Sequence, residues 1–177
     1  MNGSNTSHAE DSGRGIIFRV DLKSPEDRVR EFMNGYDGSD GVEGFDSALM
    51  RQHLRFINAT STPTATVTFE LMIAPPLCNR MSNLHGGAAS LIFDMCTTMA
   101  VAPISRVDFW AFGGVSRTLT VTFLRPVSVG TVVVIECEVI QIGKQLATIR
   151  GVMKRKSDWK VLCTAEHNKA RMDLGKI

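Results

Sequence analysis

Several kinds of functional motif are missing from this 177-residue chain. It has no Gly-x-Ser-x-Gly sequence, which excludes the nucleophile elbow of the α/β-hydrolases. It has no His-x-x-x-His pair and no cluster of cysteine and histidine, so no metal site is expected. No glycine-rich phosphate loop follows a strand-like segment, which argues against a nucleotide-binding enzyme.

The chain also lacks a strong charge of either sign. It has 20 Lys and Arg against 18 Asp and Glu, a formal net charge of +2. The densest basic patch, residues 154–156, lies beside an expected turn and reads as a solvated strand end. A nucleic-acid surface needs basic residues clustered on one face, so no nucleic-acid partner is expected.

Cysteine is scarce, and no pair has Cys-x-x-Cys spacing. The scattered residues Cys78, Cys96, Cys137 and Cys163 suit free thiols in a reducing compartment. The N-terminal region has no apolar signal segment and no arginine-rich amphipathic pattern. The expected location is the cytoplasm, with mitochondria and peroxisomes left open.

What the chain does have is an apolar run over residues 88–101 after a polar, turn-rich segment. Its Ala, Leu and Met content predicts a helix buried all round, too short and too polar to span a membrane. Ser82 or Asn83 is expected to cap this helix. Asp94 is the one charge in the run, and a lone carboxylate there is costly unless it has partners, which favours a functional role.

The glycine pair at the start of this helix, Gly86 and Gly87, favours anion binding. First-turn N–H groups have no partner within the helix, and glycine leaves them accessible to a developing oxyanion. His85 lies nine residues before Asp94, about 13 Å along one helix. If both ends are catalytic, two such helices must lie antiparallel across a two-fold axis, which predicts an obligate homodimer with composite sites.

These residues carry a family resemblance. The chain resembles hotdog-fold acyl-CoA thioesterases of the phenylacetate or "thioesterase superfamily member" type, over about residues 60–170. The matching residues are Asn79, His85, Gly86, Gly87 and Asp94. The resemblance implies an α+β hotdog fold, with an antiparallel sheet wrapped round a central helix. It also implies a small-molecule acyl thioester as substrate and no metal or redox cofactor, coenzyme A being part of the substrate.

The same resemblance assigns catalytic roles to individual residues. It implies that Asn79 and Gly86 polarise the thioester carbonyl. It implies that Asp94 of the neighbouring subunit acts as general base on water or as nucleophile, both of which stay open. Ser116, in the strand that ends in Arg-Pro, is expected to orient the water or the base. His85 is expected to position the loop rather than to transfer protons.

Substrate contacts are expected from Gly87, Thr98, Trp110 and Arg117. Trp110 belongs to an aromatic group, residues 109–112, that would line an acyl tunnel, and Thr98 would lie near Asp94 at the dimer contact. The candidates for binding the phosphates of coenzyme A are Arg117, Arg125, Lys144 and Arg150. A dimer of dimers is left open.

The expected organisation is a flexible tail (1–24), a helical extension (25–60) and one hotdog domain (61–172). Residues 16–20 are expected to add a short edge strand. In the extension, Ser24 caps a helix that Gly35 ends, and a second helix is predicted over residues 45–58. Five strands are expected after it, over residues 64–73, 114–124, 131–142, 145–154 and 159–169, with Gly143 and Lys144 turning a hairpin.

Two departures from other hotdog enzymes favour hydrolysis over hydration or dehydration. Hydratases carry a His five residues after the Asp, where this chain has Met99. Dehydratases follow their His with Phe-Pro-Gly, whereas His85 precedes Gly-Gly. The leading expectation is therefore a thioesterase acting on acyl-CoA or a carrier-bound acyl group.

Two alternatives stay open. The first is a biosynthetic hotdog enzyme that acts on a polyketide or aryl thioester, or on a product that is not a thioester. It is motivated by the long N-terminal segment and by Ser82-Asn83, where the family usually has a glycine. The second is a non-catalytic acyl-binding dimer module, since a fold does not determine a function.

Overall fold

The structure, a computed structural model, describes residues 17–39 and 41–172. Most of the predicted tail lies outside these residues, as does Ile16 of the expected edge strand. Residues 17–20 form no strand, so that expectation is wrong for them. Instead, Phe18 is buried, and its N–H donates to the carbonyl of Ala111 at 2.8 Å, which fixes this segment against the core.

Helix α1 (Pro25–Asn34) confirms the first predicted helix. The Ser24 hydroxyl accepts a hydrogen bond of 3.3 Å from the N–H of Asp27, so it satisfies one of the first-turn donors. The helix ends at Gly35. Its buried residues are Val29 and Phe32.

The second predicted helix, over residues 45–58, is wrong. Only one π-helical turn forms (Leu49–His53), and the chain then enters strand β1 (Arg55–Thr60). Phe45, the first residue of the predicted helix, is 89% exposed. Strand β1 pairs antiparallel with the next strand, and these ladder contacts outweigh a weak helical spacing. The sheet therefore begins before residue 61.

Six antiparallel strands form one sheet in the order β1-β2-β4-β5-β6-β3. The later strands are β2 (Thr66–Met72), β3 (Val115–Phe123), β4 (Val132–Ile142), β5 (Leu146–Arg155) and β6 (Val161–Ala170). They confirm the five predicted strands, with small differences at their ends. The predicted hairpin closes where the N–H of Gly143 donates to the carbonyl of Leu146 at 2.8 Å.

Helix α2 (Gly86–Met99) packs on the inner face of this sheet and contacts β2 to β6. Gly151 of β5 allows the closest approach, because a Cβ atom there would lie 2.7 Å from the Phe93 ring. The core forms between this helix and the inward-facing side chains of the strands. The predicted central helix is confirmed.

Helix α2 is not buried all round, contrary to the expectation. Met95 to Met99 are buried, but the first half of the helix is open on one side. The open stripe consists of Gly87, Ser90, Leu91 and Asp94. Their spacing of three or four residues places them on one helix face, which the sheet covers only in part. A single chain therefore leaves the Asp94 side of its central helix partly exposed.

The expectation that this helix is too short to cross a membrane is also wrong on length. The helical stretch Gly86–Ile104 has 19 residues and a mean hydropathy of 1.4, long and apolar enough by those two measures alone. Yet 67% of its most apolar window is buried inside the fold. Its apolar side chains are therefore used in packing against the sheet.

Candidate active site

His85 caps helix α2 and holds its first turn in place. Its backbone is extended, and its Nδ1 atom accepts a hydrogen bond of 2.9 Å from the N–H of Gly87. The expected caps, Ser82 and Asn83, lie too early in the chain, so that expectation is wrong. The N–H of Gly86 donates to no other residue in the described ranges, and Gly86 is exposed. One first-turn donor therefore faces outward.

Asn79 holds the loop that precedes this helix. Its Oδ1 atom accepts hydrogen bonds from the N–H groups of Met81 (2.9 Å) and Asn83 (3.2 Å). Because both partners are donors, the carbonyl oxygen must face the loop and the NH₂ group must point away from it. That NH₂ group has no partner among residues 17–39 and 41–172. Asn79 can therefore cap the turn and still donate to a ligand.

The same loop places Ser82 in the left-handed region, at φ 59°. Its N–H donates to the carbonyl of Asn79 at 2.9 Å, and its own carbonyl accepts from Val129 at 2.8 Å. Serine here adopts the backbone conformation that glycine reaches most easily. The loop thus keeps that conformation without glycine, which weakens one motive for expecting a different substrate.

Asp94 meets Ser116 within one chain. The Ser116 hydroxyl donates to Oδ1 of Asp94 at 2.8 Å, while the other carboxylate oxygen has no hydrogen bond to any described residue. The Asp94 side chain is 36% exposed. Ser116 can reach it because the pairing of β3 with β6 is irregular between Ser116 and Thr118. The carboxylate is therefore held at one oxygen and open at the other.

His167 lies behind this pair and is fully buried. Its Nε2 atom is 2.9 Å from Oγ of Ser116 and 3.4 Å from Oδ1 of Asp94. Its Nδ1 atom is 2.6 Å from Oγ1 of Thr97, which donates to the carbonyl of Phe93 at 2.5 Å. Burial, helped by the charge of Lys169 and opposed by Asp94, lowers the pKa of His167 to about 4. His167 is therefore neutral at neutral pH.

These contacts outnumber the hydrogen atoms available to form them by one. Four contacts link Asp94, Ser116, His167, Thr97 and the Phe93 carbonyl. An ionised Asp94 and a neutral His167 leave three hydrogens for them, one each from Ser116, Thr97 and the imidazole. If Asp94 gains a proton, Ser116 can turn its hydroxyl to His167 without a steric change. The hydrogen bonds around Asp94 can therefore rearrange when its carboxylate accepts a proton.

Lys169 is the second basic side chain behind Asp94, and it is 2% exposed. Its Nζ donates to Oγ1 of Thr98 at 2.8 Å, and Thr98 donates to the backbone carbonyl of Asp94 at 2.7 Å. Burial lowers the pKa of Lys169 to about 8, and the nearby charge of Asp94 opposes that shift. Helix α2 is thus tied to β6 at two successive threonines, Thr97 and Thr98.

His167 and Lys169 are absent from the residues that the sequence predicts for the site. The two-residue period of the last strand could have identified both residues. Cys163 and Ala165 face the core, and the same alternation places His167 and Lys169 on the buried face. Two basic residues at inward positions of an otherwise apolar row need partners, which the helix supplies.

The structure does not bring all the predicted catalytic residues together in one chain. Asn79, His85 and Gly86 lie at the start of α2, and Asp94 and Ser116 lie beside its middle. Gly86 and Asp94 are eight residues apart on one continuous helix, about 12 Å along its axis. Within one chain, these two groups of predicted residues are therefore too far apart to act on the same carbon atom.

Two of the predicted substrate contacts are wrong, because both side chains are buried. Trp110 is 1% exposed, and its Nε1 atom donates to the carbonyl of Gly143 at 2.8 Å, so the indole is a core side chain. Thr98 is 4% exposed and lies between α2 and β6, away from the open stripe. Gly87 and Arg117 are exposed, and their contact with substrate stays a prediction.

The candidate phosphate-binding residues differ in whether their charged groups already have partners. Arg150 donates to Glu138 at 2.7 Å, and Arg125 donates to the carbonyl of Val161 at 2.6 Å. The side chain of Lys144 forms no ion pair or hydrogen bond with any described residue. Lys144 is therefore better placed than Arg150 or Arg125 to meet an anion.

Lys144 belongs to a larger group, the basic cleft. This open cavity of about 690 Å³ is lined by Arg106, Lys144 and Arg171, together with Val107, Asp108 and Phe109. The three cationic side chains form no ion pair within residues 17–39 and 41–172. Arg106 lies over the ring of Phe109, 5.1 Å from its centroid. An anion with an aromatic part suits such a cleft.

The cysteines do not form a reactive or metal-binding centre. All four are free thiols, and burial raises the pKa of Cys96, of Cys137 and of Cys163, the last to about 11. Buried thiols of this kind are poor nucleophiles. Within the described part of the chain, no group of three or more His, Cys, Asp or Glu side chains is arranged to hold a metal ion.

Six antiparallel strands around one central helix define a hotdog-fold domain. Zebrafish thioesterase superfamily member 2 superposes with a TM-score of 0.71 at 24% identity, covering 83% of this chain and 98% of that one. Thioesterase superfamily member 2 of Mus musculus superposes with a TM-score of 0.69 at 24% identity, covering 85% of this chain and 100% of that one. These likenesses confirm the predicted fold.

Sequence comparisons show the same likeness. A family model described as the thioesterase superfamily matches residues 81–161. Acyl-coenzyme A thioesterase 13 of Mus musculus is 26% identical over 128 residues, which cover 72% of this chain and 85% of that protein. The Homo sapiens protein of that name is 27% identical over 113 residues, which cover 64% of this chain and 78% of that protein. Together with the fold, these matches confirm the resemblance to the thioesterase superfamily.

Proposed function

We propose that this protein is a homodimeric thioesterase that hydrolyses acyl thioesters of coenzyme A. The observation that carries the proposal is the hydrogen-bonded chain of Asp94, Ser116 and His167 on a helix whose first turn presents the free N–H of Gly86. The relatives named acyl-coenzyme A thioesterase 13 support both the reaction and the substrate class. The expectation of a thioester hydrolase thus has support from sequence and geometry.

The start of α2 would bind the thioester carbonyl. Gly86 offers a backbone N–H and Asn79 an NH₂ group, and neither has a partner among the described residues. The helix dipole adds partial positive charge at the same place. As the carbonyl oxygen becomes an oxyanion, these donors stabilise it more than they stabilise the substrate.

Asp94 would activate the water. Its carboxylate takes a proton from water while the water oxygen bonds to the carbonyl carbon. Once Asp94 is neutral, the Ser116 hydroxyl can turn to Nε2 of His167 in the imidazole tautomer that carries its hydrogen on Nδ1. The carbon–sulfur bond then breaks, and Asp94 returns the proton to the departing thiolate, so the products are a carboxylic acid and free coenzyme A.

Direct attack by Asp94 is the competing route to the same products. The carboxylate would form a mixed anhydride with the acyl group, and water would then hydrolyse it. A single turnover in ¹⁸O-labelled water tests for this anhydride, because water that attacks its aspartyl carbonyl leaves label in the Asp94 side chain. Label in that side chain would establish nucleophilic attack, whereas label confined to the released acid is expected both of general-base catalysis and of an anhydride opened at the acyl carbonyl.

The dimer is proposed because one chain holds two separated half-sites. The open stripe leaves Asp94 uncovered, and the outer edge of β3 is unpaired and largely exposed. A two-fold axis beside α2 would cover the open stripe and bring Asp94 of one chain to Gly86 of the other. Each dimer would then contain two complete sites.

The basic cleft would bind the phosphates of coenzyme A. One of its residues, Arg171, directly follows β6 and lies two residues beyond Lys169, so the cleft is close to the half-site of Asp94. Three cations that form no ion pair with any described residue, beside the half-buried ring of Phe109, suit a nucleotide with several phosphates. This feature favours acyl-CoA over a carrier-bound acyl group as the substrate.

The test is release of free thiol from short, medium, long and aryl acyl-CoAs by wild type and by Asp94→Asn. The substitution keeps the shape and removes the base, so kcat should fall about 100-fold or more. Asp21→Asn is the matched control, because Asp21 is an exposed carboxylate whose side-chain partner among the described residues is Arg19. Turnover in the wild type that survives in Asp94→Asn would remove Asp94 from the mechanism.

The same panel tests the substrate class. A triple substitution of Arg106, Lys144 and Arg171 by Gln should raise KM for acyl-CoA about tenfold or more. It should leave KM unchanged for the same acyl group on N-acetylcysteamine, which has no nucleotide. No turnover on any acyl-CoA would instead support the biosynthetic or the binding-only alternative.

A further inference from the structure

Trp110 combines two features that core packing alone does not explain. Its side chain is 1% exposed, yet its backbone adopts φ 58°, in the left-handed region that a bulky residue rarely occupies. Its indole N–H also has a specific acceptor, the carbonyl of Gly143 at 2.8 Å. Such backbone conformations persist where the surrounding contacts fix them, and they are frequent in functional regions. The contacts of Trp110 therefore identify the region that it holds in place.

The neighbours of Trp110 form two walls of the basic cleft. On one side, Trp110 directly follows a turn closed by two hydrogen bonds: the N–H of Arg106 donates to the carbonyl of Phe109 at 2.8 Å, and the reverse bond measures 2.9 Å. On the other side, its acceptor Gly143 directly precedes Lys144. The Trp110 side chain therefore joins the wall that carries Arg106 to the wall that carries Lys144.

The indole provides the one hydrogen bond that joins residues 105–111 to residues 142–146 in the described part of the chain. Arg171, the third cation of the cleft, is tied to the same hairpin by its backbone, because its N–H donates to the carbonyl of Gln145 at 2.9 Å. Removal of the indole N–H would thus release one wall of the cleft and leave the others joined.

The indole ring itself is held in one position. A Cβ atom on Gly114 would lie 2.5 Å from Cζ3 of Trp110, so the ring lies directly against this stretch of backbone. The carbonyl of Trp110 accepts a hydrogen bond of 3.1 Å from the N–H of Gly113. The next carbonyl, that of Ala111, accepts one of 2.8 Å from Phe18. These contacts fix the direction in which the indole N–H points.

The cleft needs such a framework because its cations repel one another. Arg106, Lys144 and Arg171 lie on separate segments and form no ion pair with any described residue. Like charges on separate segments favour their separation unless other contacts oppose it. A cleft that is already formed before the ligand arrives also loses less conformational entropy on binding. Fixed positions for these cations should therefore strengthen the binding of a ligand with several negative charges.

We propose that Trp110 is a positioning residue for substrate binding, whose indole N–H holds Arg106 and Lys144 at the separation that the phosphates of coenzyme A require. The proposal rests on the function proposed above, in which the basic cleft binds those phosphates. Trp110 does not touch the ligand and acts through the two cations. Loss of its N–H should weaken binding of the nucleotide part and leave the chemical step unchanged.

The test is steady-state kinetics of Trp110→Phe, which keeps an aromatic ring in the core and removes the N–H. KM for acyl-CoA should rise about three- to tenfold, the range expected for one lost hydrogen bond, while kcat stays within about twofold of wild type. KM for the same acyl group on N-acetylcysteamine should not change. Trp159→Phe is the matched control, because Trp159 is 57% exposed and precedes β6, at the opposite end of that strand from Arg171.

A second background separates positioning from a general structural role. The variant with Arg106→Gln, Lys144→Gln and Arg171→Gln has no cations left to position, so adding Trp110→Phe to it should change KM by less than about twofold. If Trp110 only stabilises the core, Trp110→Phe should lower the melting temperature and leave KM for acyl-CoA at the wild-type value, which would overturn the proposal. An increase in KM of the same size in both backgrounds would also overturn it.

A tryptophan analogue tests the N–H if Trp110→Phe does not fold. Incorporation of 3-benzothienylalanine at Trp110, in the Trp159→Phe background, replaces the N–H by sulfur and keeps nearly the same shape. The same increase in KM for acyl-CoA is expected. A KM equal to that of Trp159→Phe alone would contradict the proposal.

Calorimetric titration with free coenzyme A gives a readout without turnover. The Kd should rise about three- to tenfold on loss of the indole N–H. If the triple Gln variant binds coenzyme A as tightly as wild type, the function proposed for the cleft fails, and the role of Trp110 fails with it. If the triple variant binds more weakly but neither replacement of Trp110 has an effect, the role of Trp110 alone fails.

Discussion

The Ser116 hydroxyl donates to Asp94 across 2.8 Å and so joins the start of an edge strand to the middle of the central helix. Ser116 is also 2.9 Å from Nε2 of His167. In the His167 tautomer with its hydrogen on Nδ1, this hydroxyl has two acceptors and a single hydrogen to give. The proton transfer proposed for Asp94 depends on which of the two acceptors it binds.

Replacing Ser116 by Ala should lower kcat by about 10- to 100-fold with little change in KM. The methyl group fits the space but can neither hold the carboxylate nor turn to His167. Steady-state kinetics on the best acyl-CoA measures the effect. Ser157→Ala, in the exposed turn before β6, is the control and should behave as wild type. A kcat within twofold of wild type would show that Ser116 takes no part.

His85→Ala should destabilise the protein by about 1 kcal/mol, because the N–H of Gly87 loses its acceptor at the start of α2. His85→Asn should recover most of that loss, since Asn is a good cap. Urea denaturation measures both. If His85→Asn folds as stably as wild type yet has lost activity, His85 has a role beyond capping.

The free energy of unfolding should fall on acidification because of His167. Its pKa is lowered from 6.5 to about 4 by burial, so between those values the unfolded chain binds a proton that the folded chain does not. The stability that neutral His167 contributes is therefore complete above pH 6.5 and is lost as the pH falls towards 4.

For a fully buried group, this loss amounts to about 3 kcal/mol. Urea titrations of wild type and His167→Gln at pH 7, 5.5 and 4.5 measure it. The difference between the two proteins should shrink or reverse as the pH falls. A constant difference would show that the protonation of His167 is not linked to unfolding.

Arg28→Gln should lower the free energy of unfolding by about 3 kcal/mol. The guanidinium donates to the carbonyls of Leu22 (2.7 Å), Val20 (3.1 Å) and Ser105 (2.8 Å) and so ties the N-terminal segment to the region after α2. Activity per folded molecule should not change. Arg30→Gln, on the exposed side of α1, should cost less than about 1 kcal/mol.

Much of the fold is encoded in local signals. Three of these signals depend only on residues close in sequence: the cap at Ser24, the helix end at Gly35 and the alternation of the later strands. The structure confirms the elements that they predict. Strand β1 was predicted as a helix because its pairing with β2 is a tertiary contact that outweighs local spacing. No local sequence pattern in residues 45–58 indicates the pairing of β1 with β2.

The site was predictable only in part, for the same reason. The motif around His85 and Gly86 lies in one stretch of sequence and could be found there. His167 joins the network because the sheet order places β6 next to β3, a relation that no single stretch of sequence reveals. The burial of Trp110 likewise depends on the distant carbonyl of Gly143, so its aromatic context alone misled the prediction.

The central claim is that each site combines Asn79 of one chain with Asp94 of the other. Asn79→Ala and Asp94→Asn are each expected to be inactive alone. After subunit exchange between equal amounts of the two, half of the dimers should be mixed, each with one intact site. Activity should return to about a quarter of the wild-type value. Formation of mixed dimers with no return of activity would contradict the account.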